Sequence, residues 1–383
     1  MKAILARLQG DKVIWFVVAF LSLFSILAVY SSTGTLAYRF QAGNTEYYLI
    51  KHFIILVSGL LLMYVAHKIK YTYYSRLSQL ALFLAIPLLV FTLVMGTSIN
   101  EANRWLTLPV INITFQSSDF AKLALIMYIA RVLTKKQDQI KDFKSAFLPV
   151  ILPVIIVCGL ILPANLSTAV ILFATSMVLM FIGRISLKYI LAMSGIGVFF
   201  LSIFLLILFN SPETGRLYTW KARIDRFMDK ENSDTYQSDQ AKIAIATGGI
   251  TGKMPGNSSQ RNFLPQAFSD FIYAIIIEEY GLIGGFVVLM LYLILLFRGV
   301  RIAHRSPGTF GAFLAAGLTF SLVFQAMINM AVTVDLLPVT GQPLPLLSMG
   351  GTSLWFTSLA IGIILSVSRK VEEAEQQEGG AYA

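Results

Sequence analysis

Apolar runs of near-constant length alternate with polar segments from one end of this chain to the other. Ten such runs cover about 13–31, 48–66, 78–97, 117–133, 146–162, 164–182, 188–209, 268–297, 309–332 and 344–367. Most approach the roughly 20 residues that carry a helix across a bilayer. The pattern predicts an all-α polytopic membrane protein of ten transmembrane helices. The fifth and sixth runs are parted only by Pro163 and Ala164, which punctuate one long apolar stretch into a helical hairpin. The first run is long enough to span and lacks a convincing cleavage site, so it reads as a span and not as a signal peptide. On this reading residues 1–370 form one ten-helix membrane domain, and 371–383 form a polar, frayed cytoplasmic tail.

Composition agrees: 56% of the 383 residues are hydrophobic and 13% are charged, where a soluble chain carries about 25% charged residues. The net charge of +10 raises a nucleic-acid reading, which the distribution of cations removes. Lys2, Arg7, Lys12, Lys68, Lys70, Arg76, Arg131, Lys135, Lys136, Lys141, Lys144, Arg184, Lys188, Arg298, Arg301, Arg305, Arg369 and Lys370 occupy the termini and alternate short loops. The opposite short loops hold Arg39, Lys51 and Arg104. Cations accumulate on the cytoplasmic side, so both termini are placed there. The long segment at 210–267, between the seventh and eighth spans, is then extracytoplasmic. Nearly sixty residues is long for an idle connector. In it Arg216, Lys221, Arg223 and Arg226 share one face beside Trp220, Ile224 and Phe227, a pattern that fits a helix lying on the membrane surface or a solvated loop that balances its charges.

Out-of-place polar residues gather on the outer side. Asn103, Arg104 and Trp105 precede the fourth span, and Asp119 and Lys122 enter it one turn apart, where they can pair. Asn165, Ser167 and Thr168 open the sixth, Asp270 opens the eighth, and Asn329 closes the ninth. Gly248, Gly249, Gly252 and Gly256 break the end of the long loop, and 336–353 carries three prolines and three glycines. Each has a plain explanation. Asp119 and Lys122 suit a neutralising pair at a helix end; Asn165 and Ser269 or Asp270 suit caps; the glycines suit turns or close helix packing. Their placement on one side points to a polar cavity opening outward, with cations for an anionic group and a carboxylate for proton transfer. Glu278 and Glu279 lie deeper in the eighth span, and at least one reads as a buried structural partner. There is no Walker A loop, no HExxH, and no zinc spacing among His52, His67 and His304. The single cysteine, Cys158, excludes an intrachain disulfide.

Four blocks carry a resemblance that covers nearly the whole chain. They are NRWLTLPVINITFQSSDFAKLALIMYIA (103–130), PANLSTAVILF (163–173), YQSDQAKIAIATGGITGKMPGNSSQRNFLPQAFSDFIYAIIIEEYGLIG (236–284) and NMAVTVDLLPVTGQPLPLLSMGGTS (329–353). In order and wording they resemble the SEDS family, the RodA/FtsW/SpoVE family of membrane peptidoglycan glycosyltransferases. The GNSSQ and LPVTG wording is closer to the division branch than to the elongation branch. The resemblance implies polymerisation of lipid II, the undecaprenyl-pyrophosphate-linked disaccharide-peptide, on the outer face of the cytoplasmic membrane. It implies Asp270 as the general base and Arg104, Lys122, Asp119, Gln240 and Ser348 as substrate-binding residues. It also implies a class B penicillin-binding protein as partner, and a divalent cation (Mg2+ or Mn2+) is plausible for a pyrophosphate leaving group. No carboxylate cluster in the sequence demonstrates one.

The chain departs from the family wording at Asp119 (usually Glu), Asn165 (usually Asp), Ser167 (usually Gly), Gln266 and Phe268 (usually Glu and His) and Met349 (usually Tyr). The losses at 266 and 268 make the entrance less polar, which raises the pKa of a carboxyl at 270 by desolvation. A transporter or flippase for the same lipid, and a scaffold that only recruits a partner, are the readings from other classes; they part from the enzyme on whether Asp270 is needed for glycan formation.

Overall fold

The computed structural model describes residues 9–40, 43–99, 102–108, 113–209, 215–228 and 235–380. Lys2 and Arg7 of the charge pattern lie outside these, and so do the side chains of Arg39, Asn103 and Arg216. Every apolar run contains a helix. The helices are α1 (Lys12–Ser32), α2 (Gly34–Phe40), α3 (Thr45–Lys68), α4 (Tyr71–Met95), α5 (Ser117–Lys135), α6 (Leu148–Ile161), α7 (Leu166–Ile182) and α8 (Leu187–Phe209). They continue with α9 (Gly215–Met228), α10 (Tyr236–Gly248), α11 (Ile272–Arg305), α12 (Thr309–Thr333) and α13 (Thr352–Gly380). Among the described residues, eight helices are long and apolar enough to cross a membrane, and α7 is a shorter apolar helix. The molecule is a polytopic helical membrane protein. Its core is helix against helix: Leu125, Ile126, Ile129 and Leu133 of α5 are buried against α12 and α7, while Phe16, Ile54, Phe83 and Phe199 stay exposed on outward faces. Apolar side chains on the outside are what lipid permits.

Four stretches differ from the sequence reading. Between α4 and α5 lies a three-stranded antiparallel sheet, β1 (Thr97–Ile99), β2 (Ala102–Leu108) and β3 (Ile113–Gln116), with Trp105 opposite Gln116. Alternating apolar and polar residues in RWLTLP and INITFQ, with β-branched Thr and Ile, supply the strand pattern. The helix of the eighth span, α11, begins at Ile272 rather than at 268, because the chain is still turning at Gln266, which has a φ of 59°. The last helix begins at Thr352 rather than at 344. Pro343, Pro345 and Gly350 and the positive φ at Leu346 and Gly351 keep 343–351 extended or turning. The tail expected to fray is helical to Gly380, made of strong helix formers and tied by Arg369 and Lys370 to Glu373 and by Arg305 to Glu375.

The long segment between α8 and α11 is structured. Trp220 of α9 is buried, its ring 5.3 Å from that of Phe204 in α8. α10 and the turn after it lie against α11, which breaks at Gly281 (φ 69°, ψ −174°). The break frees backbone groups, and the Gly-rich turn recaptures them: Leu282 and Ile283 N–H donate to the carbonyls of Gly249 and Ile250, and Lys253 N–H donates to Glu278. A Cβ on Gly252 would stand 2.2 Å from the Glu279 carbonyl oxygen, so glycine is required by this close approach. On the N-terminal side of the break, Glu278 and Glu279 act as anchors. Glu278 accepts from Lys253 Nζ (2.7 Å), Ser259 N–H (3.1 Å) and the Ser258 hydroxyl, and Glu279 accepts from the Ser31 hydroxyl. Both carboxylates are buried and knit the 253–260 loop to α11 and α1.

Candidate active site

The helix ends that carry the singled-out polar residues meet at one end of the bundle. Asp270 lies in the turn just before α11, partly buried. Neither it nor Ser269 caps the helix, whose N-cap position is Phe271. Its side chain therefore points elsewhere. Oδ1 accepts from the Ser269 hydroxyl at 2.9 Å. Oδ2 lies 3.5 Å from where a Cβ on Gly341 would stand, and Arg104 Nη1 lies 3.9 Å from the same point. Gly341 has a φ of 65°, so its backbone turns away and leaves that point clear between carboxylate and guanidinium.

Arg104 is carried on β2 and aimed by the hairpin between α6 and α7. Its Nε donates to the carbonyl of Ala164 at 2.8 Å. The hairpin is held in turn by Asn165, which caps α7 by accepting from Thr168 N–H at 3.2 Å. The plain reading of Asn165 as a cap is the observed one, and the cap needs no charge.

A second guanidinium enters from α9. Arg223 Nη1 donates to the carbonyl of Val339 at 3.4 Å, and its charge reaches Asp270. Burial pulls the pKa of Arg223 down, and Asp270 opposes that. For Asp270 the largest influence is burial, which raises its pKa above the ordinary carboxylate value; the Ser269 hydrogen bond and the charges of Arg104 and Arg223 pull against it. The direction is the one expected from Gln266 and Phe268. A carboxylate whose basicity is raised while cations stand beside it can take a proton and can leave an anion bound nearby.

The wall behind this group is the 338–350 loop, and it hangs from side chains. Asn329 of α12 donates both amide hydrogens, to the carbonyl of Asp270 (2.8 Å) and to that of Gln342 (2.7 Å). Gln325, one turn earlier, donates to Pro343 O at 2.9 Å, and Tyr292 of α11 donates to Pro345 O. Gln342 donates to Thr168 Oγ1 at 2.8 Å. Lys122 and Asp119 pair at 2.7 Å as their spacing predicts, and Lys122 also donates to Gln325 Oε1 at 3.0 Å. That places the pair in the scaffold of the same loop. Ser348 is buried: its hydroxyl accepts from Leu344 N–H (2.7 Å) and donates to Ser269 O (2.6 Å). Both partners are backbone groups, so it holds the peptide next to Asp270. Gln240 sits half-buried on α10, and none of the described contacts brings it to Asp270.

The structure thus unites Asp270 with Arg104, adds Arg223, and links Lys122 and Asp119 to them through Gln325. Arg223 was visible in the sequence only as one cation of an amphipathic helix. No group of three or more His, Cys, Asp or Glu among the described residues is placed to hold a metal ion. Asp270 is flanked by two guanidinium groups, a set that suits an anion and does not fit a protein-held divalent cation.

A family profile described as "Cell cycle protein", spanning FtsW, RodA and SpoVE, matches residues 11–373. The chain is 35% identical over 368 residues to the probable peptidoglycan glycosyltransferase FtsW of Trichlorobacter lovleyi, covering 94% of this chain and 93% of that one. It is 31% identical over 369 residues to stage V sporulation protein E of Bacillus subtilis, covering 95% and 98%. Its fold is similar to a chain from a peptidoglycan synthase complex that coordinates polymerization and crosslinking (TM-score 0.75, 23% identity, 94% and 98% covered). It is also similar to Thermus thermophilus rod shape determining protein RodA (TM-score 0.69, 23% identity, 95% and 98% covered). With the profile and these relatives spanning nearly the whole length, the chain belongs to the FtsW/RodA/SpoVE (SEDS) family of cell cycle proteins.

Proposed function

We propose that the site polymerises lipid II into glycan strands; the chain is a peptidoglycan glycosyltransferase, as its FtsW relatives are named. The acceptor sugar's 4-hydroxyl attacks the anomeric carbon of the donor, its proton passes to the Asp270 carboxylate, and the bond from that carbon to the pyrophosphate oxygen breaks. Undecaprenyl pyrophosphate leaves and the configuration inverts. Arg104 and Arg223 hold the pyrophosphate and balance the charge that grows on it. The observation that carries the reading is the clear point over Gly341 faced by both Asp270 Oδ2 and Arg104 Nη1. A base and an anion-binding cation converge there at contact distance, the geometry a glycosyl transfer needs.

The chemistry belongs on the outer face of the cytoplasmic membrane. A ten-span arrangement with cytoplasmic termini would have Asp270 on that face, and the eight long helices together with the charge pattern of the short loops support that arrangement. The relatives named FtsW support a role in septal wall synthesis during division. The fold likeness to a chain of a synthase complex that couples polymerization to crosslinking supports a class B penicillin-binding protein as partner. The test is reconstitution of the purified chain with that partner and lipid II. Glycan strands and released undecaprenyl pyrophosphate are expected. Transfer of intact lipid II between leaflets with no polymer would instead select the transporter.

A further inference from the structure

Four carbonyls of the 342–347 stretch accept from side chains on three helices, and the last of these runs deepest into the bundle. Ser25, in the middle of α1, is fully buried and donates its single hydroxyl hydrogen to the carbonyl of Leu347 at 2.9 Å. Its oxygen is 2.8 Å from Nε2 of His52 on α3, and His52 is also buried. Because the serine hydrogen is already committed to Leu347, Nε2 of His52 has to be the donor, which fixes the protonation of that nitrogen. A directed chain results: His52 Nε2–H to Ser25 Oγ, Ser25 O–H to Leu347 O. The next residue, Ser348, donates to Ser269 O, and Ser269 donates to Asp270 Oδ1.

We propose that His52 and Ser25 are positioning residues for the transferase reaction, setting the height of the Leu347–Ser348 peptide and through it the carboxylate of Asp270. The assignment rests on Asp270 acting at the reaction centre. Polar groups this deep in an apolar helix pair are costly unless hydrogen-bonded and serve a purpose when kept. These two do not tie α1 to α3 alone. They end on a loop carbonyl two hydrogen bonds away from the base itself. α3 packs lengthwise against α13, which starts where the loop ends, so the same helix bounds the loop on its far side. A hydrophobic pair at 25 and 52 would pack as well but would leave the Leu347 carbonyl without its donor.

The test uses the full chain with its crosslinking partner and titrated lipid II. Ser25→Ala and His52→Leu are each expected to lower kcat about 10- to 100-fold, the loss that follows a misplacement near 1 Å, while KM stays within about twofold. His52→Gln, which keeps an N–H donor of similar reach, is expected to recover most of the lost kcat. Should the cavity left by alanine unfold the protein, Ser25→Cys keeps the volume and weakens only the donor. Combining Ser25→Ala with Ser348→Ala is expected to cost less than the product of the single losses, because both act on one loop. Unchanged kcat in folded His52→Leu would overturn the proposal, as would equal losses in His52→Leu and His52→Gln, or strictly multiplicative effects at 25 and 348. The coupling is a ratio of rates and holds whichever group takes the proton. Its failure would therefore leave the role of Asp270, probed by Asp270→Asn, undecided by this experiment and still standing.

Discussion

Replacing Gly341 by alanine separates the cost of backbone strain from the cost of blocking the site. Gly341 has a φ of 65°, and an L-residue there costs about 1–2 kcal/mol. The new methyl would lie 3.5 Å from Asp270 Oδ2 and 3.9 Å from Arg104 Nη1, which is ordinary contact, so nothing in the protein has to move. The strain therefore sets the stability loss. Activity should fall much further, because the methyl occupies the space between the base and the guanidinium, where the reacting sugar must sit. A displacement of about 1 Å there is expected to lower kcat roughly 100-fold. Gly256→Ala is the control: its φ is 82° and a Cβ meets nothing within 4 Å, so it carries similar strain away from the site. The assay pairs thermal unfolding in detergent with initial rates of lipid II polymerisation. Gly341→Ala is expected to melt near the control yet to polymerise far more slowly. Equal activities for the two variants would refute the placement of the reaction over Gly341.

Asp270 has a raised pKa, so lowering the pH protonates it sooner than an ordinary aspartate. The acid limb of kcat against pH should lie above the usual carboxylate range, with activity lost as pH falls through it, and Arg223→Gln, which removes a charge that pulls this pKa down, should move the limb to still higher pH. Lys122→Met strands the buried Asp119 carboxylate, whose Oδ2 already has no hydrogen-bond partner among the described residues, and should destabilise by about 3–5 kcal/mol in thermal melts. Glu278→Ala removes the acceptor for Lys253, Ser258 and Ser259 and should cost about 3 kcal/mol of stability while kcat per folded molecule holds, since these partners belong to the 253–260 loop and not to the group around Asp270.

What the sequence made legible was the part written in side-chain polarity. Each apolar run contains a helix, because a long apolar segment in lipid can satisfy its backbone in no other way as cheaply. Asp270 and Arg104 were identifiable as polar residues at apolar borders, and the Asp119–Lys122 pair followed from spacing. The three-stranded sheet before α5 escaped because its alternation is short and set between spans. The C-terminal helix escaped because a charged tail shows no apolar face, although Arg305 and Arg369 pair with it. Arg223 was hidden by its neighbours: four cations on one amphipathic helix look alike until one of them reaches, half-buried, to the carbonyl of Val339. The suspension of the loop by Asn329, Gln325, Tyr292 and Ser25 could not be read at all, since its acceptors are backbone carbonyls. Ser348, which the family resemblance implies as a substrate-binding residue, meets two main-chain groups in the structure.

The central claim is that Asp270 takes the acceptor proton, and Asp270→Asn tests it with the least change of shape. Asparagine keeps the side-chain size and an oxygen that can accept from Ser269, and it loses the basic carboxylate. In the purified chain with its crosslinking partner, lipid II binding should persist while glycan-strand formation and undecaprenyl pyrophosphate release disappear. Polymerisation by Asp270→Asn at a rate near the unmodified protein would contradict the account.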